Sequence, residues 1–107
     1  MTVSDQVYDE AIALQEVGKL AEAVAKLEEL LAQDANYALA HSALSVYLGR
    51  MERFDEAVAH AQRVCELEPD DPFSYVALSL ICQKAGMIAE AETASMEARR
   101  RQASDEG

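Results

Sequence analysis

The residues best suited to chemistry in this chain are two histidines and two cysteines. His41 and His60 could transfer protons or bind a metal, and Cys65 and Cys82 could serve as nucleophiles or metal ligands. The cysteines are far apart in the sequence and lie in apolar surroundings, which predicts buried thiols rather than a redox or zinc pair. The histidines are expected in different helices, with no carboxylate or thiol obviously paired with either. Since no phosphate-binding loop or nucleophile motif occurs, the sequence predicts no enzyme, no cofactor and no metal site.

The organisation of the chain follows from a segment that occurs three times at a constant interval. The segments Leu20–Val24, Phe54–Val58 and Ile88–Glu92 read LAEAV, FDEAV and IAEAE, and Gly18 and Gly86 keep the same register. Self-similarity at a fixed period of this length indicates an array of structural repeats. Half of the residues are apolar, but aromatic residues are few and tryptophan is absent. This composition favours closely packed helices over a sheet.

Each repeat is predicted to contain two helices. In the first repeat, Val7, Ala11 and Leu14 form one apolar stripe at helical spacing, and a second stripe follows the turn at Gly18. The third repeat begins at Pro72, a favoured first residue of a helix. We predict a single domain over residues 1–107, with repeats over approximately 4–37, 38–71 and 72–105 and a frayed tail over 103–107.

This pattern resembles the tetratricopeptide repeat (TPR) family over about residues 4–102. Ala23, Ala57 and Ala91 stand at the family's small position in the second helix, and Pro69 stands where a repeat ends. The resemblance implies an all-α fold, a right-handed α-solenoid of three helix-turn-helix repeats with six helices, whose first helices line a concave face. In those first helices, the family's aromatic position holds Val7, His41 and Tyr75, and its glycine position holds Ala11, Ser45 and Ser79.

By resemblance, the first helix of each repeat would carry partner-binding residues on the concave face. Most side chains at these positions are apolar, and they are expected to form one patch with charges at its rim. The predicted partner-binding residues are Tyr8, Ile12, Leu39, Ser42, Val46, Phe73, Val76 and Leu80, and the rim charges are Asp5, Asp9, Glu16, Arg50 and Lys84. The clamp with which some relatives hold the carboxylate end of chaperone tails is missing. Its positions hold Tyr8, Ile12, Ala43, Phe73 and Ala77 here.

The implied function is that of a protein–protein interaction module, an adaptor, scaffold or assembly factor that binds a hydrophobic or amphipathic partner segment. Acids at the rim favour a partner with basic residues beside its apolar ones. Two alternatives stay open: self-association, as in a homodimer, through the groove or the third repeat, and use of the same side chains in packing between repeats. The third repeat is expected to close the array, because Glu92, Ser95 and Arg99 replace apolar residues there.

The chain is acidic, with a formal net charge of −11. Nucleic acid is therefore an unfavourable ligand, since phosphate binding needs clustered cations. The only basic run, Arg99–Arg101, is expected to stabilise the C-terminal end of a helix. No stretch approaches the roughly 20 apolar residues of a membrane span, and the first residues lack the features of a secretory signal. We expect a cytoplasmic protein that binds neither nucleic acid nor a membrane.

Overall fold

The computed structural model describes residues 1–106, and these residues form six α-helices and no strand. Successive helices pack as helix-turn-helix pairs, and the second helix of one pair packs against the first helix of the next. The prediction of an all-α fold with two helices in each repeat is confirmed. The helices are α1 (Val3–Glu16), α2 (Leu20–Gln33), α3 (Ala38–Arg50), α4 (Phe54–Leu67), α5 (Pro72–Lys84) and α6 (Ile88–Glu106).

The turn within each pair contains one residue in a left-handed backbone conformation. The φ angle is 83° at Gly18, 60° at Glu52 and 79° at Gly86, and these residues occupy equivalent places in the three repeats. The amide that follows donates to a carbonyl of the preceding helix, as from Arg53 N to Leu48 O at 2.9 Å, which closes the helix end. Glycine adopts this conformation without steric cost, so the strain falls on Glu52.

Small residues at the crossings of paired helices allow the helices to approach closely. Ala23 and Ala57 have no exposed surface, and Ala91 is almost fully buried, as the resemblance implied. Leucines fill the space between pairs, with Leu27 and Leu44 among the largest fully buried side chains. Because each layer of the core is shared by two repeats, every helix pair depends on its neighbour for stability.

The last helix is longer than the sequence predicted. α6 continues to Glu106, so residues 103–106 are helical rather than a frayed tail, and Gly107 lies outside the described residues. Neither α6 nor any other helix within residues 1–106 combines the length and the apolar character that crossing a bilayer requires.

The basic run of α6 does not lie at the end of its helix, contrary to expectation. Arg99–Arg101 precede the last turn, which contains no basic residue. Arg101 instead contacts the segment between α4 and α5, where its Nε donates to Pro69 O at 2.6 Å, and the first turn of α5, where its guanidinium lies over the ring of Tyr75 at 4.1 Å. This arginine therefore holds α6 against the preceding helices.

Candidate functional site

A groove of about 550 Å³ lies between α3 and α5. Four of the large apolar side chains that line it are exposed: Leu39 and Leu80 are each 54% exposed, Val46 is 52% exposed and Phe73 is 71% exposed. Ala61 and Val64 of α4, both buried, also line it. The remaining lining residues are Ala38, Ser42, Ser45, Gly49, Arg50, Glu68, Asp71, Ser74, Ala77, Ile81 and Lys84.

The groove has this shape because α3 and α5 present the same positions of two successive repeats. In the register of the repeats, Leu39 is equivalent to Phe73, and Val46 is equivalent to Leu80. The side chain of Ile81 packs directly over Gly49, since a Cβ atom at this position would lie only 2.8 Å from Ile81 Cδ1. The apolar side chains therefore form two facing rows, one from each helix.

Opposite charges lie at the two ends of the groove. Arg50 and Lys84 are in the last turns of α3 and α5, whereas Glu68 and Asp71 flank the loop that precedes α5. Asp71 also caps α5, because its Oδ1 accepts a hydrogen bond from Phe73 N at 3.0 Å. Arg50 lies 5.8 Å from the centre of the Tyr47 ring. The groove is thus apolar along its length, basic at one end and acidic at the other.

Two predicted site residues of α1 do not line this groove. Tyr8 and Ile12 are partly buried and pack against the core, and the rings of Tyr8 and Tyr37 are 5.9 Å apart. Val76 of α5 is 39% exposed but lies outside the groove lining. Tyr8, Ile12 and Val76 therefore remain predicted binding residues that lie outside this groove.

One predicted rim charge, Asp5, has a structural role. Its Oδ1 accepts a hydrogen bond from the hydroxyl of Tyr37 at 2.5 Å, and its side chain completes a capping box with Thr2. The bond to Tyr37 is the main cause that lowers the pKa of Asp5, and the same bond raises the pKa of Tyr37 to about 12. The other predicted acids of α1, Asp9 and Glu16, are exposed.

The structure brings together two histidines that the sequence did not pair. His41 Nδ1 and His60 Nδ1 are 2.9 Å apart, and His41 Nε2 is 2.8 Å from the carbonyl oxygen of Ala35. Burial and the neighbouring His41 lower the pKa of His60, while Glu56 opposes this shift. Within the described part of the chain, no three side chains of His, Cys, Asp or Glu are grouped as metal ligands.

Both cysteines are free and buried. Cys65 Sγ donates to Ser74 O at 3.4 Å, and burial raises the pKa of both the Cys65 and the Cys82 thiols. A raised pKa and restricted access disfavour the thiolate, which is the reactive form. The prediction of buried thiols is confirmed.

A second, shallower concavity lies on α6, at the end of the array. Ile88 and Met96 are exposed there, although the neighbouring Glu92, Ser95 and Arg99 are polar. Ser95 Oγ is 2.7 Å from Ser79 Oγ, so this serine joins α6 to α5. This surface of α6 is mainly polar, but it retains two exposed apolar side chains.

Comparison with protein-family models gave no match, and comparison with curated protein sequences gave none either. Solved structures are similar in fold. MamA matches with a TM-score of 0.87 and 19% identity over 95% of this chain. The chain covers 60% of MamA, less than two thirds of its length.

This chain covers a larger share of two further solved structures. The type III secretion translocator chaperone SycD of Yersinia enterocolitica matches with a TM-score of 0.82 and 20% identity, over 94% of this chain and 76% of SycD. The second TPR of Spaghetti (RPAP3), bound to the HSP90 peptide SRMEEVD, matches with a TM-score of 0.79 and 15% identity, over 89% and 88% of the two chains. At this identity the likeness concerns the fold: the chain is an α-solenoid of three TPR-type helix-turn-helix repeats.

Proposed function

We propose that this chain is a non-enzymatic protein-interaction module, an adaptor, scaffold or assembly factor, that binds an apolar or amphipathic partner segment in the groove between α3 and α5. The observation that carries the proposal is the exposure of Leu39, Val46, Phe73 and Leu80 in one concavity. Apolar surface in contact with water is unfavourable, and a partner that covers these side chains removes that cost. We therefore expect the residues that bind a partner to lie on α3 and α5.

The solved structures support a protein ligand over a small-molecule substrate. SycD is a translocator chaperone, and the TPR of Spaghetti is bound to a peptide. Here the groove is mainly apolar, so we propose a ligand that contributes hydrophobic side chains. Glu68 and Asp71 at one end favour a basic residue beside those side chains. Micromolar affinity, about −8 kcal/mol, is ordinary for a contact of this size.

The test is a pull-down with three forms of the protein: wild type, Leu80→Lys and Ala59→Lys. Leu80→Lys places a charge among the apolar side chains of the groove, whereas Ala59→Lys places the same charge on an exposed part of α4 outside the groove. We expect partners that bind wild type and Ala59→Lys to be lost with Leu80→Lys. Circular dichroism should show equal helicity for all three. Partners that bind Leu80→Lys as well as wild type would rule out the groove as the binding site.

Self-association is a second candidate function, favoured by the exposed Ile88 and Met96 on α6. Two copies that meet through these side chains would bury apolar surface at the end of the array. Light scattering over a concentration series tests this for wild type, Met96→Lys and Leu80→Lys. A dimer lost with Met96→Lys alone would assign association to α6, and one lost with Leu80→Lys alone would assign it to the groove. A monomer at all concentrations would exclude this candidate.

A further inference from the structure

Among the described residues, no carboxylate forms an ion pair with the two cations at the basic end of the groove. The chain has nine Lys and Arg residues, and five of them form ion pairs within the described residues: Lys26, Arg53, Arg63, Arg100 and Arg101. Arg50 and Lys84 are not among these five, although the chain carries 20 acidic residues. Both are exposed, and both line the groove from equivalent positions. An acidic group of a ligand at this end would meet two cations.

The lining residues form layers whose spacing follows from the helix rise. Leu39 and Phe73 form one layer, Val46 and Leu80 the next, seven residues further along each helix, and the cations a third, after four more residues. At about 1.5 Å per residue, the two apolar layers are about 10 Å apart, and the cations lie about 6 Å beyond the second.

This spacing fits a helical ligand and does not fit an extended one. Residues seven and four positions apart on a helix lie on one face, at the same rise of about 10 Å and about 6 Å. In a strand only alternate residues share a face, so same-face side chains recur at about 7 Å and about 14 Å and miss the second layer. A ligand helix can therefore place apolar side chains in both layers and a charged residue at the third.

The charges at the two ends also select the direction of that helix. Acidic residues are favoured in the first turn of a helix and basic residues in its last turn, because they complement the helix dipole. A ligand with this usual charge order places its acidic first turn against Arg50 and Lys84 only if it runs antiparallel to α3 and α5. Its basic last turn then lies near Glu68 and Asp71.

From this charge order and spacing, and resting on the function proposed above, we infer that the groove between α3 and α5 binds an amphipathic partner helix antiparallel to those helices. The helix carries an acidic residue, an apolar residue four positions later, a second apolar residue seven positions after that, and a basic residue in its last turn. The charges fix orientation and the apolar residues supply most of the affinity.

The probes are two synthetic amphipathic peptides of about 18 residues with the same composition and the same apolar positions. The first has glutamate in its first turn and lysine in its last; the second has these charges exchanged. Fluorescence anisotropy measures the affinity of each for the full chain. We expect the first peptide to bind about tenfold more tightly. In the antiparallel orientation each exposed charge pair changes from attraction to repulsion in the second peptide, and in the parallel orientation the charges of the second peptide oppose its own helix dipole. Proline in the middle of the first peptide should abolish binding, because it breaks the helix.

The charge-removing variant is Arg50→Gln with Lys84→Gln, and its matched control is Lys19→Gln with Arg99→Gln, which removes two cations outside the groove. The preference for the first peptide should fall to less than about threefold in the former and persist in the latter. Equal affinity for both peptides, with both lost on Leu80→Lys, would overturn the orientation and leave the proposed function intact. If the second peptide or the proline-containing peptide binds more strongly than the first peptide, the proposed antiparallel helix is overturned as well. Failure of both peptides to bind, or binding that survives Leu80→Lys, would count against the groove itself.

Discussion

His60 donates the proton on its Nδ1 atom to Nδ1 of His41, across 2.9 Å between α4 and α3. The direction follows from the other nitrogen of His41. Nε2 lies 2.8 Å from the carbonyl oxygen of Ala35, which can only accept, so Nε2 carries the hydrogen and Nδ1 of neutral His41 is the acceptor. A proton added at Nε2 of His60 leaves this bond in place.

Stability should fall as pH decreases through the range in which histidine titrates. The pKa of His60 in the folded protein is below its ordinary value of 6.5, first because of burial and second because of His41. The unfolded chain therefore binds a proton at His60 more readily than the folded protein does. The stability contributed by neutral His60 is lost as pH falls from about 7 through the folded pKa. Urea unfolding of wild type and His60→Gln at pH 7.5 and 5.5 tests this. We expect a smaller pH dependence in His60→Gln; equal dependence would show that the pair does not control stability.

Substitutions in the core and in the groove should differ sharply in their effect on stability. Leu48→Ala removes a fully buried side chain and should lower the free energy of unfolding by about 2–5 kcal/mol. Leu80→Ala changes a largely exposed side chain and should lower it by less than about 1 kcal/mol. Chemical denaturation measures both. A loss with Leu80→Ala as large as that with Leu48→Ala would mean that the groove residues stabilise the fold instead of awaiting a partner.

The sequence predicted the features that depend on position within a repeat. The register of the repeats placed Ala23, Ala57 and Ala91 at equivalent crossings, and all three are buried. It also related Leu39 to Phe73, which line the groove together. A repeating pattern determines which face of each helix is turned inward, so such residues can be located without coordinates.

Features that depend on a neighbouring side chain could not be predicted in this way. Tyr8 stands at a position that the repeat pattern predicts to face inward, but Tyr37 packs beside it, and the pattern gives no indication of this contact. The pairing of His41 with His60 likewise depends on how α3 and α4 meet. The length of α6 was underestimated because the polar residues after Arg101 resemble a tail, although none of them before Gly107 is a glycine or proline that would end a helix.

The hydrogen bond from Tyr37 to Asp5 should be visible in an alkaline titration. The pKa of Tyr37 is raised to about 12, so its contribution to stability is complete below the ordinary value of 10.0 and is lost as pH rises through about 12. For Asp5, whose pKa is lowered, the contribution is lost as pH falls below the ordinary value of 3.8. Ultraviolet absorbance of phenolate should show a late step that is missing in Tyr37→Phe and earlier in Asp5→Asn. A late step of full size in Tyr37→Phe would contradict the assignment, since Tyr47, whose pKa burial also raises, would then account for it.

Glu52→Gly should stabilise the protein, because Glu52 has a φ angle of 60° where the two equivalent turns have glycine. The left-handed conformation costs a residue with a side chain about 1–2 kcal/mol, and the greater freedom of glycine in the unfolded chain offsets part of the gain. We expect a net increase of up to about 1 kcal/mol in the free energy of unfolding. Gly18→Ala is the matched reverse change. A Cβ atom at Gly18 would have no neighbour within 4 Å, so a loss of about 1 kcal/mol there would measure the backbone term alone. If Gly18→Ala is destabilising and Glu52→Gly is destabilising too, the side chain of Glu52 contributes a contact that outweighs its backbone strain.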